Sequence, residues 1–264
     1  MKLGVIGCGK MGSALLGGIL NKKIVSPGQV LVFDAHAESA DRLVRDFSVA
    51  AASSNDEVLG ECDSILLCVK PQILLDLLEL LGKSPQRLLI SIAAGIRISN
   101  IEAATRNQHR IIRVMPNTPA LVGKGASAFA LGSTATEGDA ATTRELLGAV
   151  GYVTEVAEEL LDPVTALSGS GPAYIFAMIE SMVATAVELG LDEKTALDLA
   201  THTVSGAAEL VLQRGESPTQ LRENVTSPNG TTFAALESLR RDQFHAVIQR
   251  ALKAACERSI ELGK

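Results

Sequence analysis

The sequence predicts an α/β domain built on a mostly parallel sheet with helices on both faces, followed by an all-helical second domain. Three observations carry this reading. Short apolar runs alternate with helical patterns through the first 160 residues. Those runs are continuously apolar and rich in Val, Ile and Leu, as strands buried on both faces are. After about Asp162 the strand pattern stops, while helix periodicity continues to the end of the chain. At about 150 residues per domain, a chain of 264 residues has room for two, expected at 1–160 and 161–264.

Strands are expected at Leu3–Ile6, Val30–Phe33, Ser64–Val69, Leu88–Ile92 and Ile111–Val114, with two more at Gly125–Leu131 and Tyr152–Glu155. Helical stretches lie between them at Met11–Leu20, Ser39–Phe47, Ile98–Thr105 and Glu137–Leu147. Alternation of this kind implies β-α-β units with right-handed crossovers. The second domain reads as helices at Pro172–Leu189, Asp192–Gln213, Thr232–Arg240 and Asp242–Leu262, separated by breakers at Gly190, Gly215–Pro218 and Pro228–Gly230. About 100 residues of helix make a marginal core, so the apolar faces are expected to pack against a second copy of the chain.

Composition narrows the function. Hydrophobic residues are 47% and charged residues 20% of the chain, which excludes disorder. The net charge of −6, with no basic block, argues against nucleic acid and anionic membranes as partners. Cys8, Cys62, Cys68 and Cys256 form no C-x-x-C pair and are expected as reduced thiols. His36, His109, His202 and His245 lack metal-ligand spacing, so no metal is expected. The first strand reaches a glycine turn by Gly7, leaving no room for a signal peptide, and apolar runs such as Ile73–Leu81 are interrupted by Asp76 and Glu79. A cytoplasmic protein with no membrane span is the expectation.

The first strand runs into Gly7-Cys8-Gly9-Lys10-Met11-Gly12, a G-x-G-x-x-G that opens a helix. Gly7 permits the tight turn, Gly9 lets backbone amides approach a pyrophosphate, and Gly12 permits close packing of the helix. The second strand ends in Asp34, 22 residues after Gly12. This is the context of a Rossmann-type dinucleotide site. A carboxylate at Asp34 would accept from the adenosine ribose hydroxyls and repel a 2′-phosphate, favouring NADH over NADPH; the alternative is that Asp34 caps the next helix. At the end of the Ser64–Val69 strand, Lys70 is either a phosphate neighbour or a solvated lysine, and Pro71 suits the first turn of a helix. Asn117, in Met115-Pro-Asn-Thr-Pro119, is either a partner for a carboxamide or substrate, or part of an Asx turn.

Two further loops feed helix N-termini: Leu167-Ser-Gly-Ser-Gly-Pro-Ala-Tyr174 and Val225-Thr-Ser-Pro-Asn-Gly-Thr-Thr232. The second offers amides around Gly230–Thr232 and hydroxyls from Ser227, Thr231 and Thr232, enough to hold a small carboxylate. Ordinary helix capping is the alternative. Neither loop contains Lys, His, Asp or Glu; Tyr174 is the one weak titrating group. Oxidation of a hydroxyl needs a positioned base. Reduction of an imine that arrives protonated needs only a hydrogen-bonding partner on nitrogen and good orientation. C=N reduction is therefore favoured.

The combination G-C-G-K-M-G, C-V-K-P-Q, R-V-M-P-N-T-P, L-S-G-S-G-P-A-Y and V-T-S-P-N-G-T-T-x-x-A-L resembles pyrroline-5-carboxylate reductase, over almost the whole chain and in order. That resemblance implies hydride transfer from NADPH or NADH to the C=N bond of L-1-pyrroline-5-carboxylate, giving L-proline, the last step of proline biosynthesis. It implies a Rossmann domain, a helical dimerisation domain, a homodimer that in some members assembles into decamers, and a substrate pocket near the dimer interface. By motif, Thr232 resembles the threonine whose hydroxyl reaches the pyrroline nitrogen. Val225, Ser227, Gly230 and Thr231 fall in the substrate loop. Ile6, Gly7, Cys8, Gly9, Lys10, Met11, Gly12, Asn55, Val69, Lys70, Pro71 and Asn117 match cofactor-contacting stretches, with Asn55 beside the adenosine. Asp34 departs from the small or hydroxyl residues that accompany NADPH use in many members, and Asn229 stands where glycine is common. The rivals are a β-hydroxyacid dehydrogenase-like oxidoreductase, disfavoured because Pro172–Leu189 has neither lysine nor asparagine, and a non-catalytic dinucleotide-sensing module.

Overall fold

The computed structural model describes residues 1–81 and 84–263. Among the described residues eight strands form one sheet: β1 (Leu3–Ile6), β2 (Val30–Phe33), β3 (Ala50–Ala51), β4 (Ser64–Leu67), β5 (Leu88–Ser91), β6 (Arg110–Met115), β7 (Gly125–Leu131) and β8 (Gly151–Glu155). Their order is β3-β2-β1-β4-β5-β6-β7-β8. All pairs are parallel except β6 with β7. The chain returns to the middle of the sheet between β3 and β4, which makes the carboxyl ends of β1 and β4 the switch point where doubly wound sheets bind ligands.

The helices of this region are α1 (Lys10–Asn21), α2 (Ala37–Phe47), α3 (Asn55–Glu61), α4 (Pro71–Glu79), α5 (Ile98–Ala104) and α6 (Glu137–Gly148), with the short α7 at Leu161–Val164. Two cores result, because side chains alternate along each strand. Val5 and Leu66 join one cluster with Leu15, Leu16 and Leu147. Ile6 and Leu67 join the other with Val58, Leu74 and Ile101. Each such aliphatic side chain, fully buried, contributes about 1.5–3 kcal/mol. The Leu88–Ile92 and Ser64–Val69 expectations are each shortened at the carboxyl end, where the chain turns out of the sheet and toward the ligand edge.

Beyond α7 the backbone winds through a π-helical turn at Thr165–Gly169 into α8 (Gly171–Glu188), then α9 (Glu193–Arg214), α10 (Pro218–Asn224), α11 (Thr231–Arg241) and α12 (Phe244–Leu262). By contacts the chain divides into two compact units, Met1–Ser170 with Ala254–Lys264, and Gly171–Lys253. The last turns of α12 thus pack with the first unit. There Ser259 donates its hydroxyl to Asp162 Oδ1 at 2.6 Å, both residues buried, and the Leu262 carbonyl lies against Gly95.

Within the second unit α8 and α9 pack together, burying Ala196 and Ala200 of α9. α9 is capped by Asp192, whose side chain accepts from the Thr195 N–H, and ends at Gly215 with φ +67°. α8 has no buried residue, although it is apolar on nearly every face; Phe176 is 58% exposed. By length and composition alone the run Glu158–Glu188 is apolar enough to cross a membrane, a test that an apolar helix of a soluble protein passes equally. An all-round apolar helix needs a covering surface, and a second copy of this unit would supply one.

Candidate active site

β1 and β2 end side by side, and the Gly7 N–H donates to the Phe33 carbonyl at 2.9 Å, while the Cys68 N–H donates to Ile6 at 2.7 Å. These bonds carry the sheet register one residue into the loops. Gly7, at φ +98°, lies so close to β4 that a Cβ there would meet the Cys68 carbonyl at 2.6 Å. Gly12 is equally constrained: its Cβ would meet the Gly7 carbonyl oxygen at 2.2 Å. Gly9 differs. Its backbone (φ −71°, ψ −171°) suits any residue, and a Cβ would meet nothing within 4 Å. The fold explains Gly7 and Gly12 and leaves Gly9 without an internal reason. An anion drawn onto the α1 N-terminus supplies one, since that helix has no side-chain cap and no acidic residue in its first turn.

Asp34 does not cap α2. Its Oδ2 accepts from the Cys8 N–H at 2.7 Å and its Oδ1 from the His36 N–H at 2.9 Å. The carboxylate is thus tied to the glycine loop on one side and to its own turn on the other. Arg42, on α2, donates to the Cys8 carbonyl at 2.8 Å, so its guanidinium holds the loop as well. Cys8 and Cys68 are inert: burial first, then the neighbouring Asp34 for Cys8 and Cys8 itself for Cys68, push each thiol up to about 12.

Gly7, Gly9, Asp34, Asn55, Val69 and Lys70 share a cleft of about 470 Å³ on this edge. Lys70 is exposed and stands as the residue before α4, which opens with Pro71 as expected. Asn55, at the start of α3, has a buried amide oxygen without a hydrogen-bond partner among the described residues. A buried acceptor left unmet costs free energy, and a ribose hydroxyl or an adenine amino group would satisfy it. The open space at Gly9, the bare helix end and this orphaned oxygen fit a dinucleotide lying across the cleft. Of the expected cofactor residues, the glycine loop, Asp34, Asn55, Val69 and Lys70 meet here.

Asn117 stands elsewhere. It is 8% exposed; its Nδ2 donates to the Ser168 carbonyl at 3.0 Å and its Oδ1 accepts from the Ala126 N–H at 2.9 Å. Neither an Asx turn nor a ligand contact accounts for these bonds. Arg42, with His36 one of the basic residues nearest Asp34 in the sequence, holds the glycine loop, and Arg113 was not singled out by the sequence. Arg113, buried on β6, pairs with Glu158 at 3.0 Å, and Glu158 also accepts from the Ile98 N–H at 2.7 Å. Both arginines act on backbone or on distant carboxylates, which no local pattern announces.

In the second unit, α10 ends at Asn224 and the chain turns through Val225–Gly230. The Gly230 N–H donates to the Ser227 carbonyl at 3.1 Å, and Asn229 takes the left-handed conformation (φ +59°) that asparagine tolerates. A side chain on Gly230 would meet Ser227 Oγ at 2.4 Å. Gly230 is itself the residue preceding α11, and no side chain caps the helix. The capping alternative therefore fails: the hydroxyls of Ser227, Thr231 and Thr232 are not spent on the helix end. The α11 N-terminus thus has free amides, no side-chain cap and no acidic residue in its first turn, features that suit a small carboxylate.

Residues 158–262 match the family described as Pyrroline-5-carboxylate reductase dimerisation, and residues 2–95 match NADP oxidoreductase coenzyme F420-dependent. Pyrroline-5-carboxylate reductase of Methanosarcina acetivorans is 42% identical over 265 aligned residues, covering 100% of this chain and 98% of its own. The solved pyrroline-5-carboxylate reductase of Coxiella burnetii superposes with a TM-score of 0.93 at 33% identity, covering 100% of this chain and 98% of that one. The Plasmodium falciparum pyrroline carboxylate reductase with NADP bound gives 0.88 at 33% identity, with the same coverage. With its glycine loop, its uncapped α11 and this likeness along its full length, the chain belongs to the pyrroline-5-carboxylate reductase family.

Proposed function

We propose that the chain reduces L-1-pyrroline-5-carboxylate to L-proline, the closing step of proline biosynthesis, in the cytoplasm. The observation that carries this is the 225–232 loop: an uncapped helix end with free hydroxyls and no titratable base. Such a loop can fix a carboxylate and touch a ring nitrogen, and it has no group to draw a proton from an alcohol. When bound, the reduced nicotinamide supplies the hydride that adds to the imine carbon.

The chain's own residues bind and orient. Gly9 and the first amides of α1 hold the pyrophosphate, Asn55 accepts from the adenosine, and Asp34 takes the ribose hydroxyls. Because Asp34 presents a carboxylate where a 2′-phosphate would lie, NADH is the preferred cofactor in this reading. Ser227, Gly230 and Thr231 hold the substrate carboxylate by hydroxyl and amide donors. Thr232 is a catalytic residue, its hydroxyl hydrogen-bonded to the pyrroline nitrogen, and Val225 borders the ring. Fixing both reactants supplies the rate, as orientation alone is worth about 7–11 kcal/mol in favourable cases. No metal enters this chemistry. The exposed apolar faces of the helical unit make the working form a homodimer, with a decamer as its higher assembly.

Comparing pyrroline-5-carboxylate with 1-pyrroline, which lacks the carboxylate, tests the reading. Loss of two charge-assisted hydrogen bonds at about 1.5–3 kcal/mol each should lower kcat/KM by at least about a hundredfold. Equal turnover of both imines would remove the loop from the mechanism.

A further inference from the structure

We propose that Asn117 is a positioning residue: its side-chain amide stands in for the backbone N–H that Pro172 lacks, and locks the π-helical turn to the loop after β6. In a helical run the carbonyl of Ser168 would pair with the N–H of residue 172, and residue 172 is proline. The backbone stays helical through Ser170 (φ −84°, ψ −21°), where the Ser170 N–H reaches back to the Thr165 carbonyl at 2.8 Å. Ser168 is therefore left with an orphaned carbonyl, and Asn117 Nδ2 meets it at 3.0 Å. The other end of the same side chain accepts the Ala126 N–H at 2.9 Å, so one buried amide joins the start of β7 to the π turn.

A second contact fixes the same two segments independently. A Cβ on Gly169 would meet Met115 Cε at 2.4 Å, so Met115 lies directly on the Gly169 backbone. Met115 and Asn117 thus grip Ser168 and Gly169 together, at the carboxyl end of β6. This is the second mononucleotide half of the sheet, at the carboxyl ends of the strands, which border the crevice where such folds bind dinucleotides. π turns are rare and often sit at functional sites; here the turn is the last part of the first unit before Gly171.

The kinetic part of the test rests on the reaction proposed above; the exchange part does not. Asn117→Ala should speed amide exchange at Ser170 and lower kcat/KM for the imine by about ten- to a hundredfold, with nucleotide affinity unchanged. Asn117→Asp keeps the acceptor for Ala126 and loses the donor; as pH falls its neutral acid regains an O–H, so its activity relative to the parent chain should recover. Adding Pro172→Ala to Asn117→Ala returns a backbone N–H to Ser168 and should restore exchange protection and turnover in part. The proposal is overturned if Asn117→Ala weakens nucleotide binding in step with turnover, or if Ser170 exchange in that variant matches the parent chain. Should the parent chain fail to reduce the imine, the reaction falls, while exchange at Ser170 still decides the clamp.

Discussion

Replacing Gly9 with alanine should leave folding almost untouched and cripple nucleotide binding, whereas the same change at Gly12 should do damage to the fold itself. At Gly9 the backbone is already in a region open to alanine and the added methyl meets nothing within 4 Å. Restricting the unfolded chain contributes about 0.4–1 kcal/mol in favour of the variant. Losing glycine from the residue before a helix costs about as much. The net change is close to zero and the midpoint shifts by less than about 2 °C. The methyl nevertheless occupies the space a pyrophosphate would fill, and one charge-assisted hydrogen bond lost at about 1.5–3 kcal/mol weakens binding by about ten- to a hundredfold. At Gly12 the methyl would lie 2.2 Å from the Gly7 carbonyl oxygen, an overpacking that costs about 1–3 kcal/mol. Thermal unfolding of both variants, with nucleotide titration by calorimetry, separates the two effects. Wild-type affinity in Gly9→Ala, or a loss of stability as large as that of Gly12→Ala, would refute the assignment of Gly9 to the ligand.

Three other substitutions follow from the same geometry. Asp34→Ser removes the carboxylate while keeping an oxygen near Cys8 and His36, and should raise the NADPH-to-NADH ratio of kcat/KM by about tenfold, the scale of one relieved like-charge contact. Thr232→Val removes a hydroxyl at constant shape and should lower turnover by about ten- to a hundredfold without altering nucleotide affinity, as loss of a hydrogen bond to a charged nitrogen does. His109 is buried and accepts the Arg87 N–H at Nδ1, 3.1 Å away; burial first, then the Arg87 and Arg110 charges, lower its pKa from 6.5. The unfolded chain therefore binds that proton more readily, so stability is full above about 6.5 and is lost as pH falls toward the native value. Urea midpoints should drop between about pH 7.5 and 5.5, and His109→Gln should flatten that part of the profile; a parallel profile in the variant would assign the loss elsewhere.

The sheet was legible because its strands are short Val-, Ile- and Leu-rich runs buried on both faces. β3 was not: Ala50–Ala51 is two exposed residues with no apolar signal of its own. α3 and α10 are as long as α5, seven residues each, but they lack a pair of large apolar residues at helical spacing such as Ile98 and Ile101 of α5. The left-handed turn of Gly7 and the packing role of Gly12 were foreseeable from spacing, and the structure adds that Gly9 has neither constraint. Asn117 could not have been read from its neighbours, because both its partners are backbone atoms brought from nine and 51 residues away. The return of α12 to the first unit rests in the same way on long-range contacts, from Ser259 to Asp162 and from Leu262 to Gly95. α8 was readable as a helix of a unit whose apolar faces need a second copy, and its exposure in the single chain agrees with that.

The most direct test of the account is oxidation of reduced nicotinamide by the full-length chain with pyrroline-5-carboxylate, run side by side with NADH and NADPH, with hydroxyacids and the oxidised cofactors as the control. Imine-dependent oxidation, faster with NADH and absent with the hydroxyacids, is the expected result. Tight nucleotide binding with no turnover of the imine would contradict it and leave a dinucleotide sensor as the better reading.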